Sequence, residues 1–175
     1  MKKLILIAAA LMMISSFAAA QTTASGTLSV TATVNGSINL VFNSDPAGVA
    51  LTGSGTNAAT LAFGTVQAFG GTLTTGVTRT PGTTSFTVSS PFDVNVAKAN
   101  LTSANYTLKA QLNAADATNT WQVGGVTVTS AAAATITGTG SYDTNNAFTL
   151  ALTIPFTTAS GTSISNSLNF TATAN

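Results

Sequence analysis

Few side chains in this sequence have the means to do chemistry: Asp45, Asp93, Asp116 and Asp143, the aromatic Tyr106, Trp121 and Tyr142, and a scatter of Asn. In SYDTNNAF, Asp143 and Asn145, with Asn146 beside them, hold oxygen ligands at the alternate spacing that suits Ca²⁺; Asp116 with Asn119 is a sparser example. A single carboxylate makes a poor cage, however, and Asp and Asn are ordinary turn residues because their side chains accept hydrogen bonds from nearby amides. Turns are the preferred reading, and no metal site is assigned. Asp93 and Asp143 could be paired on paper as the acid and base of a glycosidase. Asp93, however, alternates with Phe92 and Val94, which puts it on an outward strand face with nothing to bring a second carboxylate beside it. Trp121, Tyr106 and Tyr142 could stack on sugar rings, although a domain of this size usually packs its Trp inside. With no His, Cys or Glu, the chain also lacks the commonest general base, the thiolate nucleophile and the usual transition-metal ligands. No enzymatic activity and no cofactor are expected.

The start of the chain reads as a secretory signal over residues 1 to 20. Lys2 and Lys3 supply the positive end, LILIAAALMMI the apolar stretch, and Ala18, Ala19 and Ala20 the small residues of a cleavage site. That stretch is too short for a confident membrane span, which needs about 20 apolar residues. The mature chain, residues 21 to 175, should be one domain with room for a core and without a membrane span. It keeps Arg79, Lys98 and Lys109 against four Asp, a net charge of minus one. Scattered basic residues of that number cannot displace counterions from a phosphate backbone, so nucleic acid is not an expected partner.

The elements that must carry these side chains are β-strands. Thr, which is β-branched and suits the solvent face of a pleated strand, occupies 34 of the 175 positions. Strict alternation marks FDVNVAK, YTLKAQL and FTLALTI, and further strands are expected at INLVF (38 to 42), ATLAF (59 to 63), TSFTVSS (84 to 90), WQVGGVTVT (121 to 129), ATITGTG (134 to 140) and SLNFTATA (167 to 174). NSDPAG, TPGTT, NAADATNT and SYDTNNA read as turns between them. Only the signal and the run AAAA at 131 to 134 favour helix. Many short strands at regular spacing predict an all-β fold, an antiparallel immunoglobulin-like β-sandwich.

Four stretches in order resemble the pilin subunits of archaic chaperone-usher systems, of the spore coat protein U type: the opening TLSVTATVNGSINLVF, then ATLAFGTV, then FTLALTIPF with the loop ASGTSISN, and the closing SLNFTATAN. The chain departs from that family in having Ser37 where a Cys is usual, and in lacking the partner Cys. The resemblance implies a sandwich short of one strand, whose groove receives the N-terminal extension of the next subunit. It also implies three partners: further copies of the chain, a periplasmic chaperone and an outer-membrane usher. The expected location is then the cell surface, after export through the periplasm of a Gram-negative-type bacterium.

The opening stretch has the alternation that strand addition requires, since main-chain bonds hold such a guest and alternate side chains enter pockets. Gly26, Leu28, Val30, Ala32 and Val34 are the expected donor residues within a donor strand spanning 21 to 34. Leu150, Leu152, Leu168 and Phe170 are the expected lining of the acceptor groove. Residues 27 to 34 could equally be the first strand of their own sandwich, and a division of the stretch between the two roles is also open. The function expected is a structural subunit of a pilus-like surface filament; the alternative is a monomeric secreted adhesin or carbohydrate-binding module.

Overall fold

The structure is a computed structural model that describes residues 25 to 175. The expected signal peptide and the first residues after it lie outside that range. The chain divides into two units, Met1–Thr33 and Val34–Asn175. Residues 25 to 36 carry no strand and are exposed throughout.

The described residues contain strands and no helix, and every strand pairing is antiparallel. The nine strands are β1 (Ser37–Asn43), β2 (Thr78–Pro81), β3 (Ser85–Ala99), β4 (Tyr106–Leu112), β5 (Thr120–Val123), β6 (Val126–Val128), β7 (Ala134–Gly140), β8 (Asn145–Pro155) and β9 (Leu168–Ala174). One sheet runs β1-β3-β8-β5-β6, with β2 also on β3; the other runs β7-β4-β9. Residues of both sheets enclose one core. Val88, Val94 and Val96 of β3, Leu108 and Ala110 of β4 and Val123 of β5 are wholly buried in it. The architecture is sandwich-like.

Several expected strands appear with changed limits. TSFTVSS and FDVNVAK are one strand, β3, which spans Pro91. The proline is tolerated because it falls between the part of β3 paired with β2 and the part paired with β1, where that edge needs no ladder donor. WQVGGVTVT is a hairpin: Gly124 and Gly125 both take positive φ, 56° and 79°, the geometry a two-residue turn between β5 and β6 demands. TPGTT, read as a turn, has its first two residues, Thr80 and Pro81, in β2. AAAA forms no helix, and its last residue opens β7. Four alanines cannot offset the cost of nucleating a helix without neighbours that continue it.

The ATLAF stretch differs most. Residues 44 to 77 hold only isolated bridges, Phe42 with Thr56 and Thr52 with Thr60. Within them Ala59, Leu61 and Phe63 alternate as partly buried residues with exposed Thr60, Ala62 and Gly64. The pattern of a strand is present, but only Thr60 is paired, through its two backbone bonds with Thr52, and the pairing does not continue into a ladder. The same segment reaches β3 near Pro91, where the Val49 amide donates to the buried Ser90 Oγ at 2.9 Å.

Candidate functional site

β9 pairs with β4 alone, so one of its edges has no strand partner among the described residues. Against it opens a cavity of about 810 Å³ between the sheets. Its floor is the inward face of the larger sheet: Val88 and Phe92 from β3, Leu150, Leu152 and Ile154 from β8, and Trp121 from β5. Residues 59 to 66 form one wall, and residues 161 to 168 with Phe170 form the other. A second cavity of about 360 Å³ lies between β1 and β9, lined by Ile38, Leu40, Phe42, Leu168 and Phe170. Phe170 sits between the two cavities, with its ring 5.2 Å from Phe42 and 6.0 Å from Phe92.

All the residues expected to line an acceptor groove, Leu150, Leu152, Leu168 and Phe170, therefore lie around a single cavity. Leu150 and Leu152 are buried; Leu168 and Phe170 are half-buried. The expected donor residues are elsewhere in the chain and face water. Leu28 is 87%, Val30 81% and Val34 70% exposed, and Gly26 and Ala32 are exposed with them. Sequence reasoning missed the wall at 59 to 66 and the contribution of Trp121. The alternation of ATLAF was visible, but it marks the wall of a cavity and not a ladder strand.

The cavity floor is braced beneath Trp121. Its indole Nε1 donates to Asp116 Oδ2 at 2.8 Å, while the amides of Thr118 and Asn119 donate to Oδ1 at 3.0 and 2.9 Å. Partial burial pushes this carboxyl up, but the bonds from the Asn119 amide, the Trp121 indole, the Asn119 side chain and the Thr118 amide outweigh it and hold Asp116 at about 2. Asp116 and Asn119 thus cap a turn and orient the Trp.

The other chemistry-bearing residues are also engaged structurally. Asp93 has the outward parity expected of it but is buried, only 6% exposed, which corrects the expectation of an open strand face. Asn145 covers it, donating from Nδ2 to Asp93 Oδ2 at 3.2 Å and accepting at Oδ1 from Asn43 at 2.9 Å and Asn95 at 3.3 Å. Burial, with Asp45 nearby, pushes the Asp93 carboxyl up against the opposing bond from Asn145. The carboxylate near Asp93 is therefore Asp45, not Asp143. Asp143 turns the chain with φ of 57° and accepts from the Lys98 amide at 3.4 Å. Asn145 is thereby committed to Asp93 and not to a shared cation with Asp143. Among the described residues no three of His, Cys, Asp and Glu are grouped to hold a metal.

Nor do the aromatics suggested for sugar stacking form a surface. Trp121 and Tyr106 are buried, and Tyr142 packs 5.3 Å from the Tyr106 ring with Lys98 Nζ 4.8 Å above its own. No helix among the described residues is long and apolar enough to cross a membrane. The chain matches no family model, no curated protein and no solved structure.

Proposed function

We propose that this protein is a non-enzymatic subunit of a surface filament, an immunoglobulin-like, pilin-like sandwich that takes an extended segment of a second copy alongside β9. The observation that carries the reading is the open cavity, with an apolar floor, beside a strand edge without a partner among the described residues, in a chain whose residues 25 to 36 are exposed and form no strand. A guest strand there would extend the β7-β4-β9 sheet and close the cavity with its inward side chains. Main-chain bonds would supply affinity and alternate side chains the fit. Burying Leu28, Val30 and Val34 would stabilise by roughly 1.5 to 3 kcal/mol each before ordering costs.

Because the giving and receiving surfaces differ, the contact is head-to-tail, and repeating it builds an open filament instead of a closed dimer. Export to the cell surface, a periplasmic chaperone and an outer-membrane usher come with the resemblance to archaic chaperone-usher pilins and belong to the same reading. The sugar-binding alternative is weakened by the burial of Trp121 and Tyr106.

Size-exclusion chromatography with negative-stain microscopy tests the proposal on the mature chain and on a version lacking residues 21 to 28. The expected result is filaments from the first and monomers from the second, with a free peptide of residues 25 to 36 shortening the filaments of the first, because it fills grooves without linking subunits. Two monomers of equal stability would overturn it.

A further inference from the structure

Five large apolar side chains stand exposed among the described residues: Leu28, Val30 and Val34 on the alternating segment, and Phe69 and Phe156, 66% and 38% exposed, whose rings lie 5.4 Å apart. The aromatic pair continues both sides of the cavity. On β8 the inward series Leu150, Leu152, Ile154 leads two residues on to Phe156, whose amide still donates to Thr84 O at 2.9 Å. The ring of Phe156 lies parallel to that of Phe86, a core residue, at 6.4 Å and 15°, which keeps it on the inward face. On the opposite wall the lining ends at Val66, and Phe69 follows it. The turn bearing Phe69 is braced by Arg79, whose Nη1 donates to Gln67 O at 2.9 Å and to Gly70 O. A ring held on a braced turn costs little to order on binding.

We infer that the Phe69–Phe156 pair is a docking position beyond the cavity that seats Val34 of a second copy; the inference rests on the strand-addition reading above. The occupant follows from pitch and polarity. Leu150, Leu152, Ile154 and Phe156 succeed one another every second residue, about 6.7 Å apart, as do Leu28, Val30, Ala32 and Val34. The cavity is lined by the first three of these host positions but not by Phe156, so a guest that seats Leu28 at the first of them needs the pair for its fourth side chain. For polarity, Leu112 pairs with Leu168 and its amide donates to Thr129 O, beside the hairpin that meets Leu152, whereas Phe170 packs on Phe92, the partner of Phe148. β9 therefore runs opposite to β8. Antiparallel pairing is the more stable and the kind every ladder here uses, and a guest antiparallel to β9 runs with β8. With Leu28 seated near Leu150, Val34 reaches the pair.

The test is binding of a fluorescent peptide of residues 25 to 36 to the full chain carrying Val30→Pro, which stops it donating to its neighbours and leaves their grooves free. Binding is read by anisotropy, with this host otherwise wild-type or bearing Phe69→Ala or Phe156→Ala, and with Val34→Ala and Leu28→Ala peptides. Phe69→Ala should keep its melting temperature, because the ring is exposed, and should weaken the native peptide about tenfold. The Val34→Ala peptide should bind the wild-type and Phe69→Ala hosts alike, whereas the Leu28→Ala peptide should still lose about tenfold between them. Equal binding of the native peptide to wild-type, Phe69→Ala and Phe156→Ala hosts would overturn the inference and leave the groove standing, as would a Phe69 effect that vanishes with Leu28→Ala instead of Val34→Ala. No binding to the wild-type host would overturn the groove reading, and this inference with it.

Discussion

Asp116 and Asp93 are both carboxylates that meet protein more than water, and they answer acid in opposite senses. Asp116 is held at about 2, below its ordinary 3.8, so the stability it contributes is present above pH 3.8 and is lost as pH falls through about 2. Asp93 is raised above 3.8, so its favourable state is the protonated one, present below pH 3.8 and lost as pH rises through its folded value. Asp93→Asn, which keeps an acceptor for Asn145, should therefore raise the melting temperature at pH 7, with the gain shrinking on acidification towards pH 3.8. Asp116→Asn should lower it at pH 7 and shift Trp121 emission, since the indole loses its charged acceptor. Calorimetry between pH 2 and 7 separates the two; a loss from Asp93→Asn at neutral pH would contradict the cost assigned to burying that charge. Gly140 illustrates packing at the same scale. A Cβ there would overlap the Tyr106 ring, which is fully buried. Gly140→Ala should cost about 1 to 3 kcal/mol by overpacking, or roughly 2 to 12 °C in melting temperature.

At the scale of elements, β9 combines a single strand partner with a half-buried inner face and cavities along its open edge. Edge strands of this kind are templates for added strands unless charge or proline blocks them, and β9 carries neither. Trp121 is the sole Trp and lines the larger cavity, so filling it should change intrinsic emission saturably as a peptide of residues 25 to 36 is added. A Val30→Pro peptide should give no change, because proline removes a ladder donor and its ring clashes with regular pairing. Leu168→Asp in the host should abolish the response while leaving the far-ultraviolet spectrum of the sheets intact. An unaltered response with either change would mean that the peptide binds elsewhere. Much at this scale was legible beforehand: β4, β8 and β9 follow period-two alternation closely. The limits of β3 and the status of ATLAF were not, because alternation reports that a stretch has a buried and an exposed face without reporting whether another backbone lies beside it.

At the scale of the whole molecule, assembly by strand addition should depend little on salt. Residues 21 to 175 carry three basic and four acidic side chains, and the cavity lining includes none of them, so the proposed association would be driven by apolar burial and main-chain bonds. Filament growth followed by light scattering should differ by less than about twofold between 50 and 500 mM NaCl. A strong dependence would point to a charged contact outside the groove. Composition and periodicity by themselves pointed to a chain of antiparallel strands without His, Cys or Glu, with an alternating segment near its start. They also picked out Leu150, Leu152, Leu168 and Phe170 as inward residues. Only the tertiary structure decided that these four surround one cavity, that Asp93 is covered by Asn145, that Trp121 is a cavity wall hung from Asp116, and that residues 25 to 36 are left without a strand partner. The physical reason is that period-two patterning is a property of a single strand and its two faces. Which edges meet, which stay open, and what space remains between sheets depend on how many strands compete for the same core.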